Sequence, residues 1–197
     1  MLIDAGFDRH LGPHAVRELD AEAGSVVGLW PDGRIGLLNQ AWERFALEND
    51  GAAILERWPL GSEIWSGISG VLRDYYARAF ERVRMKGEPW EQTYLCDAPA
   101  RRREFRLRVL PLERHALLLL HSLVVDMPRP EDDPPSGALT RYVSDAGTVH
   151  QCSNCRRTQR VRGPHGWDWV RSYVSHPPPN VSHGMCTTCV RQYYPEL

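Results

Sequence analysis

Five cysteines stand at positions 96, 152, 155, 186 and 189, and the last four form two C-x2-C pairs, Cys152-Ser-Asn-Cys155 and Cys186-Thr-Thr-Cys189. A C-x2-C turn points two thiolates at one ion, and two such turns close a tetrahedral shell of four sulfurs. The chemistry of that shell is metal binding. Zinc suits it, with iron or an iron–sulfur cluster as the other choice. The opening residues, MLIDAGFDRH, carry Asp4 and lack the basic start and apolar stretch of a signal peptide. Without a route to an oxidising compartment, the pairs read as ligands before disulfides. Covalent haem needs a histidine after a pair, and Arg156 and Val190 stand there. A thioredoxin-like redox role needs a βαβ pattern that the flanking residues lack. We therefore expect one structural Zn2+ per chain on Cys152, Cys155, Cys186 and Cys189. His183 lies close to the second pair, but four thiolates already fill the shell, which leaves it an orienting role.

Other reactive types are isolated. Cys96 reads as a buried small hydrophobe rather than a reactive thiol. His121 interrupts an apolar run and reads as a hydrogen-bonded core histidine rather than a ligand contact.

The elements that must position the cysteines are few. Between the pairs, Trp167 to Val174 has the pattern of a helix. Residues 139–197 hold few aliphatics and cannot build a sufficient core alone. A structural zinc, with apparent binding energy of roughly 10–16 kcal/mol, is the staple such a unit needs. The same stretch carries seven arginines against Asp145, Asp168 and Glu196, a balance of +4 in a chain of net charge −1. Arg156, Arg157, Arg160 and Arg162 offer phosphate contacts, or a solvated face that offsets the charge of the thiolates. The absence of a helix patterned to read bases disfavours nucleic acid.

Upstream, the pattern changes. A short helix is expected after Pro13, over His14 to Leu19. Ser25 to Trp30 reads as a strand, Pro31-Asp32-Gly33-Arg34 as a turn, and Ile35 to Leu38 as the return strand. Asn39 caps a helix carrying Ala41, Trp42, Phe45 and Ala46. Residues 49–70 are mixed loops and short helical turns. Val71, Leu72, Tyr75, Tyr76, Ala79, Phe80 and Val83 then form a helical stripe that Gly87 stops. Three strands follow: Trp90 to Leu95, Glu104 to Leu110 and Ala116 to Val125. In the second, Phe105, Leu107 and Val109 face inward and Arg106 and Arg108 face water. The third is almost continuously apolar, as in a central strand covered on both faces.

Met127 to Gly137 is rich in proline and acid and reads as a linker. The expected organisation is a flanking helix over 1–21, a larger domain over 22–126, a linker over 127–138 and a four-cysteine domain over 139–197. Leu2, Ile3, Phe7, Leu11, Val16 and Leu19 precede the larger domain and offer an apolar patch for a second copy or for the domain's own sheet.

The order of two strands, a helix, short turns, a longer helix and three strands resembles that of PAS domains. GSVVGLWPDGRIGLLNQAWERFA resembles their opening strands and first helix. GEPWEQTYL, RRREFRLRVLPLE and ALLLLHSLV resemble their last three strands. The resemblance implies an α+β fold, a PAS-like five-stranded antiparallel sheet cupping a small cavity, used for sensing, dimerisation or partner docking. Trp42, Phe45, Tyr75, Tyr76, Phe80 and Tyr94 are available to line that cavity around a small-molecule ligand, although their spacing also reads as plain core. No histidine stands between Ser62 and Gly87, where haem-binding sensors of this kind place one. Asn154-Cys155-Arg156 matches the start of a flavin photosensor motif only by coincidence, since it lies inside a cysteine pair.

The tail resembles a small cysteine-pair module found at the ends of bacterial sensory and response-regulator proteins. Cys152-x-x-Cys155-Arg156, Gly166, Trp167 and Tyr173, Ser182-His183-Gly184-Met185-Cys186-Thr187-Thr188-Cys189 and Tyr194-Pro195-Glu196 carry the likeness. Arg171 stands where that module has glutamate, and Thr187 where it has proline.

Together these readings lead us to expect a cytoplasmic, non-catalytic bacterial signalling protein, a homodimer that contacts a protein partner. The alternatives are a DNA-binding regulator using the arginine-rich tail, and a metal or redox sensor. At 197 residues and 42% hydrophobic, the chain has room for one large domain or two small packed ones. Its longest apolar run falls far short of the ~20 residues of a membrane span.

Overall fold

A computed structural model describes residues 1–12, 16–49, 51–68, 70–129 and 136–195, with side chains of 136–138 left out. The chain divides into two compact units. Met1–Ser69, Arg73–Thr93 and Phe105–Leu123 build the first, and Gly70–Leu72, Tyr94–Glu104 and Val124–Leu197 the second.

The first unit is α+β. It holds β1 (Leu2–Ile3), β2 (Ser25–Leu29), β3 (Ile35–Leu38) and the larger parts of β4 (Trp90–Leu95), β5 (Arg101–Pro111) and β6 (Leu117–Pro128). They form one antiparallel sheet in the order β1-β3-β2-β6-β5-β4. Its helices are α1 (Val16–Ala21), α2 (Gln40–Glu48), α3 (Ala52–Arg57) and α4 (Val71–Lys86). The β2–β3 turn forms at Asp32-Gly33 as expected. Asp32 Oδ1 accepts from Arg34 N at 3.0 Å, and Gly33 takes φ 89°, with the Trp65 indole 2.9 Å from where a Cβ would stand. Leu72, Tyr76, Ala79, Phe80 and Val83 bury one stripe of α4, and Gly87 ends it at φ 68° by donating to the Val83 carbonyl.

Asn39 caps α2 and does more. Its Oδ1 accepts from Trp42 N at 3.1 Å and from Val26 N at 2.9 Å. Its Nδ2 donates to the carbonyls of Leu19 and Gly24. One buried side chain thus joins α1, β2 and α2. Asn39→Ala should cost roughly 2–4 kcal/mol, because it removes a cap and orphans buried backbone groups. Urea unfolding of the full chain checks this, and a loss below about 1 kcal/mol would mean that the backbone groups find other partners.

The N-terminal segment differs from the expected flanking helix. Only Val16–Ala21 is α-helical, and the expected helix start at Pro13, His14 and Ala15 lies outside the described residues. Leu2–Ile3 pairs with Leu37–Leu38 and makes a sixth strand where five were expected. Phe7 is fully buried on the sheet because two strand positions lack side chains. A Cβ at Gly28 or Gly36 would lie 2.4 or 2.2 Å from its ring. Leu11 and Leu19 join the same core. These three residues are therefore not an exposed dimer patch; Leu2, Ile3 and Val16 remain exposed.

Strand β5 alternates as expected, with Phe105, Leu107 and Val109 buried and Arg106 and Arg108 beside Glu91. Strand β6 is covered only in its first part. Leu117, Leu118 and Leu119 are buried, whereas Leu123 and Val124 are about half exposed, at 48% and 49%. His121 lies opposite Ser25 in the β2–β6 pair, half-buried. Burial pushes its pKa down to about 4 from 6.5. The unfolded chain then takes up a proton below pH 6.5 that the folded chain resists, so stability is full above that value and is lost as pH falls towards 4. We expect a loss on the order of 2 kcal/mol over that window, removed in His121→Gln. Denaturant titrations of both proteins at pH 7 and pH 4.5 test it. Equal losses in the two would assign the pH dependence to other groups.

The second unit contains a small sheet of β7 (Val149–Cys152), β8 (Thr158–Gln159), β9 (Trp167–Asp168) and β10 (Val181–Gly184) in the order β10-β7-β8-β9. Its helices are α5 (Arg171–Ser175) and α6 (Thr187–Tyr193). The helix expected over Trp167 to Val174 is shorter. Trp167 and Asp168 pair with Gln159 and Thr158 instead. Asp168 is fastened there by Arg160 Nε at 2.8 Å and by the Tyr142 hydroxyl at 2.7 Å.

The expected linker over 127–138 is also shorter. Met127 and Pro128 belong to β6, and Arg129 N donates to the Ala100 carbonyl at 2.9 Å. The Arg129 guanidinium pairs with Asp97 and lies 3.9 Å over the Trp169 ring, with both charged side chains nearly fully buried. Composition identified a polar segment but not the partners that absorb its start. The boundary expected at 126/127 is therefore not the division seen, since the ends of β4, β5 and β6 belong to the cysteine unit. Residues 130–135 lie outside the described residues.

Candidate metal centre

Strand β7 ends at Cys152 and β10 at Gly184. The two run parallel with Gly184 opposite Cys152, so both C-x2-C turns leave the small sheet from the same end. The first turn folds on its own backbone. Cys152 N donates to the Arg157 carbonyl at 2.8 Å and Arg156 N to the Cys152 carbonyl at 3.0 Å. Arg156 takes φ 60° there, a left-handed conformation that favours glycine. Ser153 stitches the turns together, its N and its Oγ both donating to the Gly184 carbonyl. In the second turn Cys186 caps α6, and Cys189 follows in the first helical turn.

The four sulfurs lie within 4.8 Å of one another. Cys155 Sγ and Cys186 Sγ are 3.6 Å apart. A tetrahedron with a metal–sulfur distance of ~2.3 Å has edges of about 3.8 Å, whereas a disulfide would need about 2.05 Å. The spacing is that of four ligands around one ion. All four cysteines are buried, with Leu95, Trp167 and Met185 packed around them. The four expected ligands are brought together, and the arrangement can hold a metal ion.

Thiols of Cys155, then Cys186 and Cys189, donate to Cys152 and hold it well below the usual thiol range. The same contacts push Cys155 up, since it is the donor. N–H groups also reach the sulfurs. Cys186 N lies 3.4 Å from Cys152 Sγ, and Asn154 Nδ2 donates to Cys189 Sγ at 3.2 Å. Asn154 is oriented by the Tyr193 hydroxyl, which donates to its Oδ1 at 3.1 Å. Neither Asn154 nor Tyr193 was singled out from the sequence. The position of Asn154 inside a cysteine pair was the available signal.

His183 lies outside the four-cysteine group, exposed on β10. Arg171 and Thr187 are exposed at the starts of α5 and α6. Within the arginine cluster, Arg160 pairs with Asp168 and Arg162 with Asp145, and Arg156 reaches the Val174 carbonyl. Cys96 is half-buried, and desolvation pushes its thiol up, with Arg103 and Arg156 working against that shift.

The residues expected to line a sensor cavity do not converge on one described cavity. Phe45 meets Phe105 edge-on, Tyr75 donates to Gln92, and Tyr76 and Phe80 pack in the core. Tyr94 belongs to the second unit. Trp42 lines a cavity of about 210 Å³ with Met1, Leu38, Leu55 and Trp58.

Among the described residues no helix is long and apolar enough to cross a membrane. Compared with protein-family models and with curated proteins, the chain matches none.

Proposed function

We propose that the chain is a non-catalytic sensory or regulatory signalling protein, with a PAS-like unit for sensing or dimerisation and a structural zinc on Cys152, Cys155, Cys186 and Cys189. The observation that carries the metal part is the group of four buried sulfurs within 4.8 Å of one another. Four soft ligands close the coordination shell and leave no position for a reacting water, which favours a structural ion over a catalytic one. Structural zinc would give the second unit the stability that its small core lacks. The sensory part rests on the resemblance in the N-terminal segment, supported by one antiparallel sheet that joins the two early strands to the three late ones. Partner contact through the metal unit and self-association through the first unit complete the proposal.

Metal analysis, an absorption spectrum and light scattering on the purified full chain test it together. We expect one zinc per chain, no visible band from the metal, and a dimer at micromolar concentration. A visible charge-transfer band with bound iron would replace zinc by an iron centre. A monomer would remove dimerisation. Salt-dependent retention on DNA would favour the regulator that uses the tail.

A further inference from the structure

The four sulfurs are not equivalent. Cys152 and Cys189 each receive an N–H, from Cys186 N and Asn154 Nδ2 respectively. Among the described hydrogen bonds, Cys155 Sγ and Cys186 Sγ receive no N–H and meet each other. An N–H donated to a thiolate withdraws charge from it and blunts its attack on an electrophile. A sulfur without one keeps its full nucleophilicity once a metal has enforced deprotonation, which sets Cys155 and Cys186 apart from the other two.

Access favours Cys155 of these two. Cys155 is the least buried of the four, at 5% exposure against 1–2% for the others. It lines a cavity of about 290 Å³ with Cys186, Cys189, Arg102 and Arg157, and of the three cysteines there it is the most exposed. Both arginines are exposed, and their charge favours an anion leaving from that cavity. Cys186 Sγ is the neighbour, 3.6 Å away.

We propose that Cys155 is the thiolate of this centre that a small hydroperoxide attacks, and that the product is a Cys155–Cys186 disulfide with release of the metal. The inference rests on the four cysteines being the metal site. The Cys155 thiolate attacks one peroxide oxygen, the S–O bond forms, the O–O bond breaks, and hydroxide leaves into solvent, where a buffer acid protonates it. Cys155 is then a sulfenic acid. The Cys186 thiolate attacks its sulfur, the S–S bond forms, the S–O bond breaks and a second hydroxide leaves. The two sulfurs together lose two electrons and the peroxide gains them. Cys152 and Cys189 alone remain to hold the ion, and two ligands do not retain it. Asn154, oriented by Tyr193, is the positioning residue that protects Cys189.

The zinc-loaded full chain is treated with one equivalent of hydrogen peroxide, and metal release is followed with a chromogenic chelator. Remaining thiols are then capped in denaturant and mapped by peptide mass spectrometry. The expected main product is the Cys155–Cys186 disulfide, with one zinc released per disulfide. It should exceed any other product about fivefold, the factor that one hydrogen bond to sulfur carries. First modification at Cys96, Cys152 or Cys189, or disulfide formation with the zinc retained, overturns the inference. Asn154→Ala, once shown to bind zinc at full stoichiometry, should raise the alkylation rate of Cys189 about fivefold and leave that of Cys155 unchanged. An unchanged Cys189 rate overturns the hydrogen-bond basis, and if the variant does not bind zinc the mapping on the unsubstituted chain decides. A purified chain that holds no metal and binds no added zinc or Co2+ overturns both the metal reading and this one. Oxidation elsewhere in a zinc-loaded chain overturns this one alone.

Discussion

Cys155→Ser or Cys186→Ser should release the metal and unfold residues 139–197 while leaving the six-stranded sheet of the first unit intact. Serine keeps the size of the side chain and removes the soft ligand. Three thiolates then face the ion, and the strongest single contribution to the second unit, roughly 10–16 kcal/mol of apparent binding energy, is largely lost. Among the described residues its sheet has four short strands and α5 and α6 have five and seven residues, which do not offset a loss of this size. The Cys96–Arg103 hairpin should loosen as well. Leu95 packs on the cysteines, and Tyr94–Glu104 belongs to the same unit. Phe7, Leu29, Ile35, Leu117 and Val109 are buried in the first unit, so its sheet should stay protected. Zinc stoichiometry with amide hydrogen exchange measures both halves of the expectation. Full stoichiometry in either variant would rule out the four-cysteine assignment. Loss of protection throughout the chain would show that the first unit depends on the metal.

Much of the first unit was legible because its signals are local. Asp32-Gly33 sets a turn, Asn39 a cap, Gly87 a stop, and the stripe from Leu72 to Val83 a helix, and each acts within a few residues. The convergence of the four cysteines was legible for the same reason, since C-x2-C spacing is a local geometric demand. What was missed depends on distant partners. The pairing of Leu2–Ile3 with β3 needs a strand more than 30 residues away, and the seat of Phe7 depends on two glycines whose missing side chains matter only once β2 and β3 lie side by side. Trp167 and Asp168 read as helical by spacing, but pairing with β8 and the anchoring of Asp168 outweigh weak local preference. The orienting group at the sulfurs is Asn154 rather than His183. Two C-x2-C pairs fix which sulfurs converge, but not which neighbour turns an N–H toward them.

Arg129 is the clearest case of composition misleading, and it carries the last of the large expected effects. It sits in a proline- and acid-rich stretch, where a charged side chain belongs in water. In the folded chain its guanidinium is 6% exposed and pairs with Asp97, itself 3% exposed. Asp97 Oδ1 also accepts from Arg103 N at 2.8 Å, and Trp169 lies beneath the guanidinium at 3.9 Å. Removing one member of a buried pair strands the other charge away from water, at a cost of about 3–5 kcal/mol. Arg129→Ala loses the stacking on Trp169 in addition, about 1–2 kcal/mol, so it should be the worse of the two single variants alongside Asp97→Ala. Arg129→Lys should recover only part, because an ammonium offers neither the planar face nor the paired donors of a guanidinium. The double variant Asp97→Ala/Arg129→Ala should lose less than the sum of the singles by 2 kcal/mol or more, roughly the penalty of an unpaired buried charge. Urea unfolding of the zinc-loaded chain, followed at the second unit by tryptophan fluorescence, measures all four. Additive losses, or a loss below about 1 kcal/mol in Arg129→Ala, would mean that the pair is solvated and that the stretch is the free linker its composition implies.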